Sequence, residues 1–197
     1  MEKEYIAFVH FGPNTFSGRQ WGTGHEDPSI YAPAVLTPAQ WARICENAGM
    51  KMVLFTMKHH DGFCQWFTNT TDFSVKSSPI KKDVADLLRK GCDTNKIGLG
   101  IYLSPWDMNQ RDRGVWNTDE YNKYFLAQLN ELLTLYGRVE EVWFDGACGD
   151  YEIWKNVPSY RPDSWYDYIE ALQPHAVFRM YDPYFFATQE KWEEIKA

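Results

Sequence analysis

Glu141-Val142-Trp143-Phe144-Asp145-Gly146 is the stretch on which the fold turns. Its β-branched and aromatic residues favour an extended chain, and the run stops abruptly on a carboxylate and a glycine. A strand that delivers one carboxylate to its C-terminal tip is how a (β/α) barrel exposes a catalytic group. Asp-Gly is also a common turn pair, so Asp145 by itself could simply open a turn. The pattern on either side decides between the two.

Working outward, segments of strand and helix character alternate along the chain. The sequence predicts strands over Tyr5–Phe11, Lys51–Thr56, Ile97–Leu103, Val139–Phe144 and Ala176–Met180. Between them lie helical patterns. Thr37-Pro38 opens the first, which carries Trp41, Ile44, Cys45 and Ala48 on one face and ends at Gly49. Asp83 opens the second, with Val84, Leu87 and Leu88. Thr118 opens a longer one with a stripe of Tyr121, Phe125, Leu129, Leu132 and Tyr136. A fourth spans Asp163–Leu172. Such alternation predicts an α/β fold with parallel strands. The long segments after strands (12–36, 57–82 and 104–117) match the enlarged loops in which barrel enzymes keep their sites. No linker, repeat or low-complexity tract divides residues 1–197, so one domain is expected.

Composition narrows the function classes. Hydrophobic residues at 44% indicate an ordered, globular chain. A formal charge of −7 with scattered basic residues argues against a nucleic-acid partner. No apolar run approaches the roughly 18 residues needed to span a bilayer, so no membrane partner is expected. No signal peptide is read in Met1-Glu2-Lys3-Glu4, and cellular location stays open. Cys45, Cys64, Cys92 and Cys148 lie far apart without a C-x-x-C pair, and Cys45 and Cys92 read as buried thiols. The aromatic share is 17%, with nine tryptophans. Trp21, Trp66, Trp106 and Trp143 fall at or beyond strand ends and are expected to serve as sugar-stacking platforms, whereas Trp41 and Trp165 belong to the core.

Polar residues gather at the strand tips. The first strand presents His10, the second ends in Lys58-His59-His60-Asp61-Gly62-Phe63, and the third in Tyr102-Leu103-Ser104-Pro105-Trp106-Asp107. With Asp145 on the fourth, they converge on one mouth if the strands are neighbours. Two chemistries fit. Histidines with aspartates serve a metal-dependent hydrolase, yet no H-x-H or H-E-x-x-H spacing occurs. Adjacent residues on a strand also point to opposite sides, so His59 and His60 share a site only if the strand has ended. Alternatively, histidine and tyrosine hydrogen-bond sugar hydroxyls, tryptophan stacks on the ring, and a carboxylate attacks the anomeric carbon.

Four motifs make a resemblance specific: Val9-His10-Phe11-Gly12-Pro13-Asn14-Thr15-Phe16, Lys58–Phe63, Tyr102–Asp107 and Trp143-Phe144-Asp145-Gly146. Together they resemble the α-L-fucosidases of glycoside hydrolase family 29 from about residue 5 to about 177, and look closest to the branch favouring α-1,3/1,4-linked fucose. The resemblance implies a (β/α)8 TIM-barrel-type catalytic domain and a retaining mechanism. Asp145 would be the nucleophile. His10, His59 and His60 would bind fucose hydroxyls, Tyr102 would line the site, and Trp21 and Trp143 would contact the sugar. Gln20 stands where some relatives carry an acidic residue. The implied partner is a fucosylated oligosaccharide or glycoprotein glycan, with no metal and no organic cofactor.

Two departures accompany the resemblance. The chain offers only about four to five βα units, whereas eight usually take about 250 residues. Residues after about 178 diverge from the family pattern, and there Glu190 stands at about the expected distance for the acid/base carboxyl. The abrupt change favours a truncated chain. Self-association, a further segment completing the barrel, or a non-catalytic fucose-binding remnant are the other readings of the shortage.

Overall fold

The computed structural model describes residues 5–115, 118–145 and 162–181. Five strands, β1 (Ala7–Val9), β2 (Met52–Lys58), β3 (Gly98–Leu103), β4 (Glu141–Asp145) and β5 (Val177–Tyr181), form one sheet. All neighbours run parallel and lie in chain order, β1-β2-β3-β4-β5. A doubly wound sheet would reverse its order at a switch point. An unreversed parallel order is that of a barrel wall, and the fold is an incomplete (β/α)8 TIM-barrel type.

The helices are α1 (Pro13–Ser17), α2 (Pro38–Asn47), α3 (Val84–Asn95), α4 (Met108–Asp112), α5 (Asp119–Leu135) and α6 (Pro162–Leu172). Helix α3 starts where Asp83 accepts the Asp86 N–H, and α5 where the Thr118 hydroxyl accepts the Tyr121 N–H. Thr37 also precedes its helix, but its hydroxyl bonds the Gln40 side chain rather than a backbone amide. The expected strands and long helices are all present, with β1 shorter than its motif and β2 running on to Lys58. The short helices α1 and α4, in the loops after β1 and β3, lacked a long enough apolar stripe to be read.

Register assigns each strand residue to a face, because residues paired across parallel strands point the same way. One row, Val9–Phe55–Ile101–Val142–Phe178, crosses all five strands and packs into the layer formed with the helices. There it joins Leu88, Phe125, Leu129 and Trp165 in a continuous apolar core. The alternate row, Thr56–Tyr102–Trp143–Arg179, lies on the opposite, inner face. Also on that face, Glu141 is buried and pairs with Arg179 at 3.0 Å.

Two of the expected sugar platforms are corrected by burial. Trp66 is wholly buried, its indole N–H donating to Glu131 at 2.8 Å. Trp106 is also buried, with the Arg111 guanidinium 5.6 Å from its ring. The segment after β2 folds back on itself, Gln65 N–H bonding Met57 C=O and Cys64 bridging Ser74, which draws Trp66 into the helical layer. Trp165 is buried against Phe125 and Phe144, and Trp41 packs on Phe11 and Phe55. Cys45, Cys64 and Cys92 are buried free thiols, and burial raises the Cys92 thiol to about 12. Cys148 lies outside the described residues.

Candidate active site

The tips of β1 to β4 each contribute at least one polar side chain to a common mouth. Just past β1, His10 lies 4.3 Å from His59, ring centre to ring centre. His59 lies 4.1 Å from His60 and stacks on Tyr102 at 5.8 Å. The Tyr102 hydroxyl donates to Asp145 Oδ2 at 2.9 Å, and His60 Nε2 stands 3.8 Å from the same oxygen. Trp21, 42% exposed, meets the His60 ring edge-on at 5.7 Å. Trp143 reaches the group through Phe8, whose ring contacts both Trp143 and Tyr102. The structure thus assembles His10, Trp21, His59, His60, Tyr102, Trp143 and Asp145 at one end of the sheet. Glu190 lies outside the described residues.

A strand irregularity explains how two adjacent histidines share the site. The β2–β3 register shifts between Thr56 and Lys58. The shift turns Lys58 outward, beneath α5, and β2 ends there. His59 and His60 therefore leave the strand together and both rings enter the mouth. Lys58 itself is wholly buried. Its ammonium donates to Asp107 at 3.1 Å and to Gln128 at 2.8 Å, among the rings of Tyr121, Tyr124 and Phe125. Asp107 caps α4 through the Gln110 N–H. Ser104 N–H bonds Lys58 C=O, and Met108 N–H bonds His60 C=O. The tips of β2 and β3 are thereby fastened to each other. Gly62 completes the junction, with φ at +90° and no room for a Cβ, which would stand 2.3 Å from Asp107 Oδ1.

Burial sets the protonation of the site. It lowers His59 to about 2, with His60 and His10 adding to the effect, and lowers His60 to about 4 against the opposing pull of the Asp145 carboxylate. Burial also lowers His10. At neutral pH His59 and His60 are therefore uncharged, each able to give one hydrogen bond and take another. Burial and the adjacent Asp145 raise Tyr102, which keeps its proton and donates it to that carboxylate. Asp61, fully buried behind the histidines, is raised to about 7 by burial.

Four contributors had no role assigned from sequence. Phe8 shares the inner face with His10 by simple alternation, a signal that was available. Asn14 donates from Nδ2 to His10 Nε2 at 3.1 Å and to Gln20 C=O at 3.0 Å. Ser104 and Lys58 stood within quoted motifs, but apart from Trp106 C=O beside Ser104 their side-chain partners lie 41 or more residues away in the chain. Among the described residues, no group of three or more His, Cys, Asp or Glu side chains is arranged to hold a metal ion. No helix there is long and apolar enough to cross a membrane.

A parallel (β/α) barrel wall thus carries a carboxylate, a tyrosine and neutral imidazoles at its strand C-termini, with the exposed Trp21 and the half-buried Trp143 alongside, at the end where barrel enzymes keep their sites. The alpha-L-fucosidase family model matches residues 7–193, and the chain belongs to that family. Alpha-L-fucosidase 1 of Arabidopsis thaliana is 47% identical over 173 residues, 86% of this chain and 33% of the relative. A crystal structure of a glycoside hydrolase 29 family member from an unknown rumen bacterium is 40% identical with a TM-score of 0.80, covering 89% of this chain and 33% of that one. A Ruminococcus gnavus glycoside hydrolase 29 fucosidase, solved in complex with fucose, is 31% identical with a TM-score of 0.75, over 87% and 38% of the two chains. The chain spans about a third of the length of the curated relatives it matches first.

Proposed function

We propose that this chain carries the sugar-binding residues and the nucleophile of a retaining α-L-fucosidase acting on fucosylated oligosaccharides or glycoprotein glycans. The observation that carries the reading is Asp145 at the tip of β4, held by the Tyr102 hydroxyl at 2.9 Å beside the neutral His60. Its carboxylate oxygen attacks the anomeric carbon, forming a glycosyl ester as the bond to the leaving oxygen breaks. The departing oxygen takes a proton from a second carboxyl group, which then draws a proton from the water that hydrolyses the ester. Glu190 is the candidate for that second group. His10, His59 and His60 receive the fucose hydroxyls, while Trp21 and Trp143 offer apolar surface to the ring and its methyl group. The wording of the motifs favours α-1,3/1,4 linkages.

The test is hydrolysis of an aryl α-L-fucoside by the chain and by its Asp145→Ala variant. A rate that the variant matches would sink the catalytic reading and leave a fucose-binding protein. With Asp145→Gly, azide should restore turnover and yield a fucosyl azide. A stereochemical course with inversion, followed by NMR of the first-formed product, would overturn the retaining mechanism.

A further inference from the structure

Ser104 is fully buried between His60 and the backbone at the tip of β4. Its Oγ lies 2.7 Å from His60 Nδ1, 2.8 Å from Trp106 C=O and 3.2 Å from Asp145 C=O. A hydroxyl has one proton to give, and both carbonyl oxygens can only accept. If Ser104 donated to His60, neither carbonyl would receive that proton, and the Tyr102 hydroxyl that also lies near the serine already gives its proton to Asp145, so the serine oxygen would accept nothing. If it donates to a carbonyl, its oxygen is free to accept from Nδ1–H, and two hydrogen bonds form in place of one. The competing imidazole form gains little, because an Nε2–H would stand 3.8 Å from Asp145 Oδ2, beyond hydrogen-bond range.

We propose that Ser104 is a positioning residue that fixes His60 as its Nδ1–H tautomer and leaves a bare Nε2 lone pair beside Asp145. The same reasoning covers His10. The Asn14 amide nitrogen is identified by its bond to Gln20 C=O, so His10 Nε2 is an acceptor and its proton also sits on Nδ1. The mouth therefore holds two acceptors, His60 Nε2 and Asp145 Oδ2, 3.8 Å apart, with Tyr102 donating to the second. A ligand complements this arrangement by bringing a hydroxyl proton to His60 Nε2, as a sugar does. That last step rests on the glycosidase reading, whereas the proton assignment does not.

Long-range 1H–15N correlation on the 15N-labelled full chain at pH 7 reads the tautomers directly, with His60 assigned by its loss in His60→Gln. The expected spectrum has His60 and His10 protonated at Nδ1. In Ser104→Ala the His60 proton should move to Nε2, while His10 stays as it was. A wild-type His60 carrying its proton on Nε2 would overturn the proposal, even if the alanine variant failed to fold. So would a folded Ser104→Ala protein whose His60 remains the Nδ1–H form. Added L-fucose should then shift the His60 Nε2 resonance. No shift over an unchanged Nδ1–H signal would refute the hydroxyl contact alone and count against the sugar reading, with the serine assignment intact.

Discussion

The row Val9–Phe55–Ile101–Val142–Phe178 and the row Thr56–Tyr102–Trp143–Arg179 run side by side across the same sheet, one residue apart in register. The first is apolar in every member and packs with the helices. The second carries a hydroxyl, a phenol, an indole and a guanidinium, and continues into Asp145 at the tip. Backbone geometry is the same for both, so side-chain chemistry alone distinguishes the packing face from the one that leads to the mouth. A one-residue slip would exchange the rows and put the charged groups into the core. The apolar row therefore fixes the register, and the register delivers the site residues to their mouth.

Breaking the inner face should cost function and spare the fold. Asp145→Ala is expected to lower the rate on an aryl α-L-fucoside by about 10⁴-fold, roughly 5 kcal/mol of barrier, with the melting temperature nearly unchanged. Breaking the outer face should do the reverse. Phe144→Ala, one residue away and wholly buried against Phe125 and Trp165, should destabilise by about 3–5 kcal/mol in urea unfolding. If Phe144→Ala proved milder than Asp145→Ala in stability, the division between faces would fail.

Lys58 tests the comparison at its exception, a charge on the packing side. Lys58→Met strands Asp107 without its cation and should cost about 3 kcal/mol of stability. Combining it with Asp107→Asn should recover part of that loss; an additive double variant would contradict the pairing. The pH dependence comes next. His60 is held near 4 and His59 near 2 in the folded chain, against about 6.5 when unfolded. Between pH 6.5 and 4 the unfolded chain binds more protons, so stability rises with pH there and is lost as pH falls. A plot of melting temperature against pH should show this slope, and His60→Gln should flatten it. The smallest effect belongs to Phe8→Ala. Being 48% exposed, Phe8 should contribute less than about 1 kcal/mol to stability.

Much of the site was legible because barrels place function at strand tips, and strand tips can be read from local pattern. His10 and Asp145 each close an apolar run, Tyr102 and Trp143 lie one residue short of such an end, and the structure brings all four together. The tryptophans were read unevenly. Trp21 and Trp66 occupy similar places in sequence, both beyond a strand end, yet one is 42% exposed and the other fully buried. Their difference comes from Glu131, on a helix 65 residues away from Trp66, which gives the indole N–H a partner inside the layer.

The sequence by itself determined where the strands and the four longer helices lie, which face of each is apolar, and which side chains stand at the strand tips. These follow from periodicity, and periodicity is a property of a few consecutive residues. Tertiary structure decided what depends on distant neighbours. The register shift at Thr56/Lys58 turned Lys58 outward to Asp107 and Gln128 and admitted both His59 and His60 to the mouth. Ser104 likewise gained its meaning only when it stood between His60 and the Asp145 backbone. A hydrogen bond requires donor and acceptor within about 3 Å, and no local pattern states which residues 40 to 70 positions apart will meet at that distance.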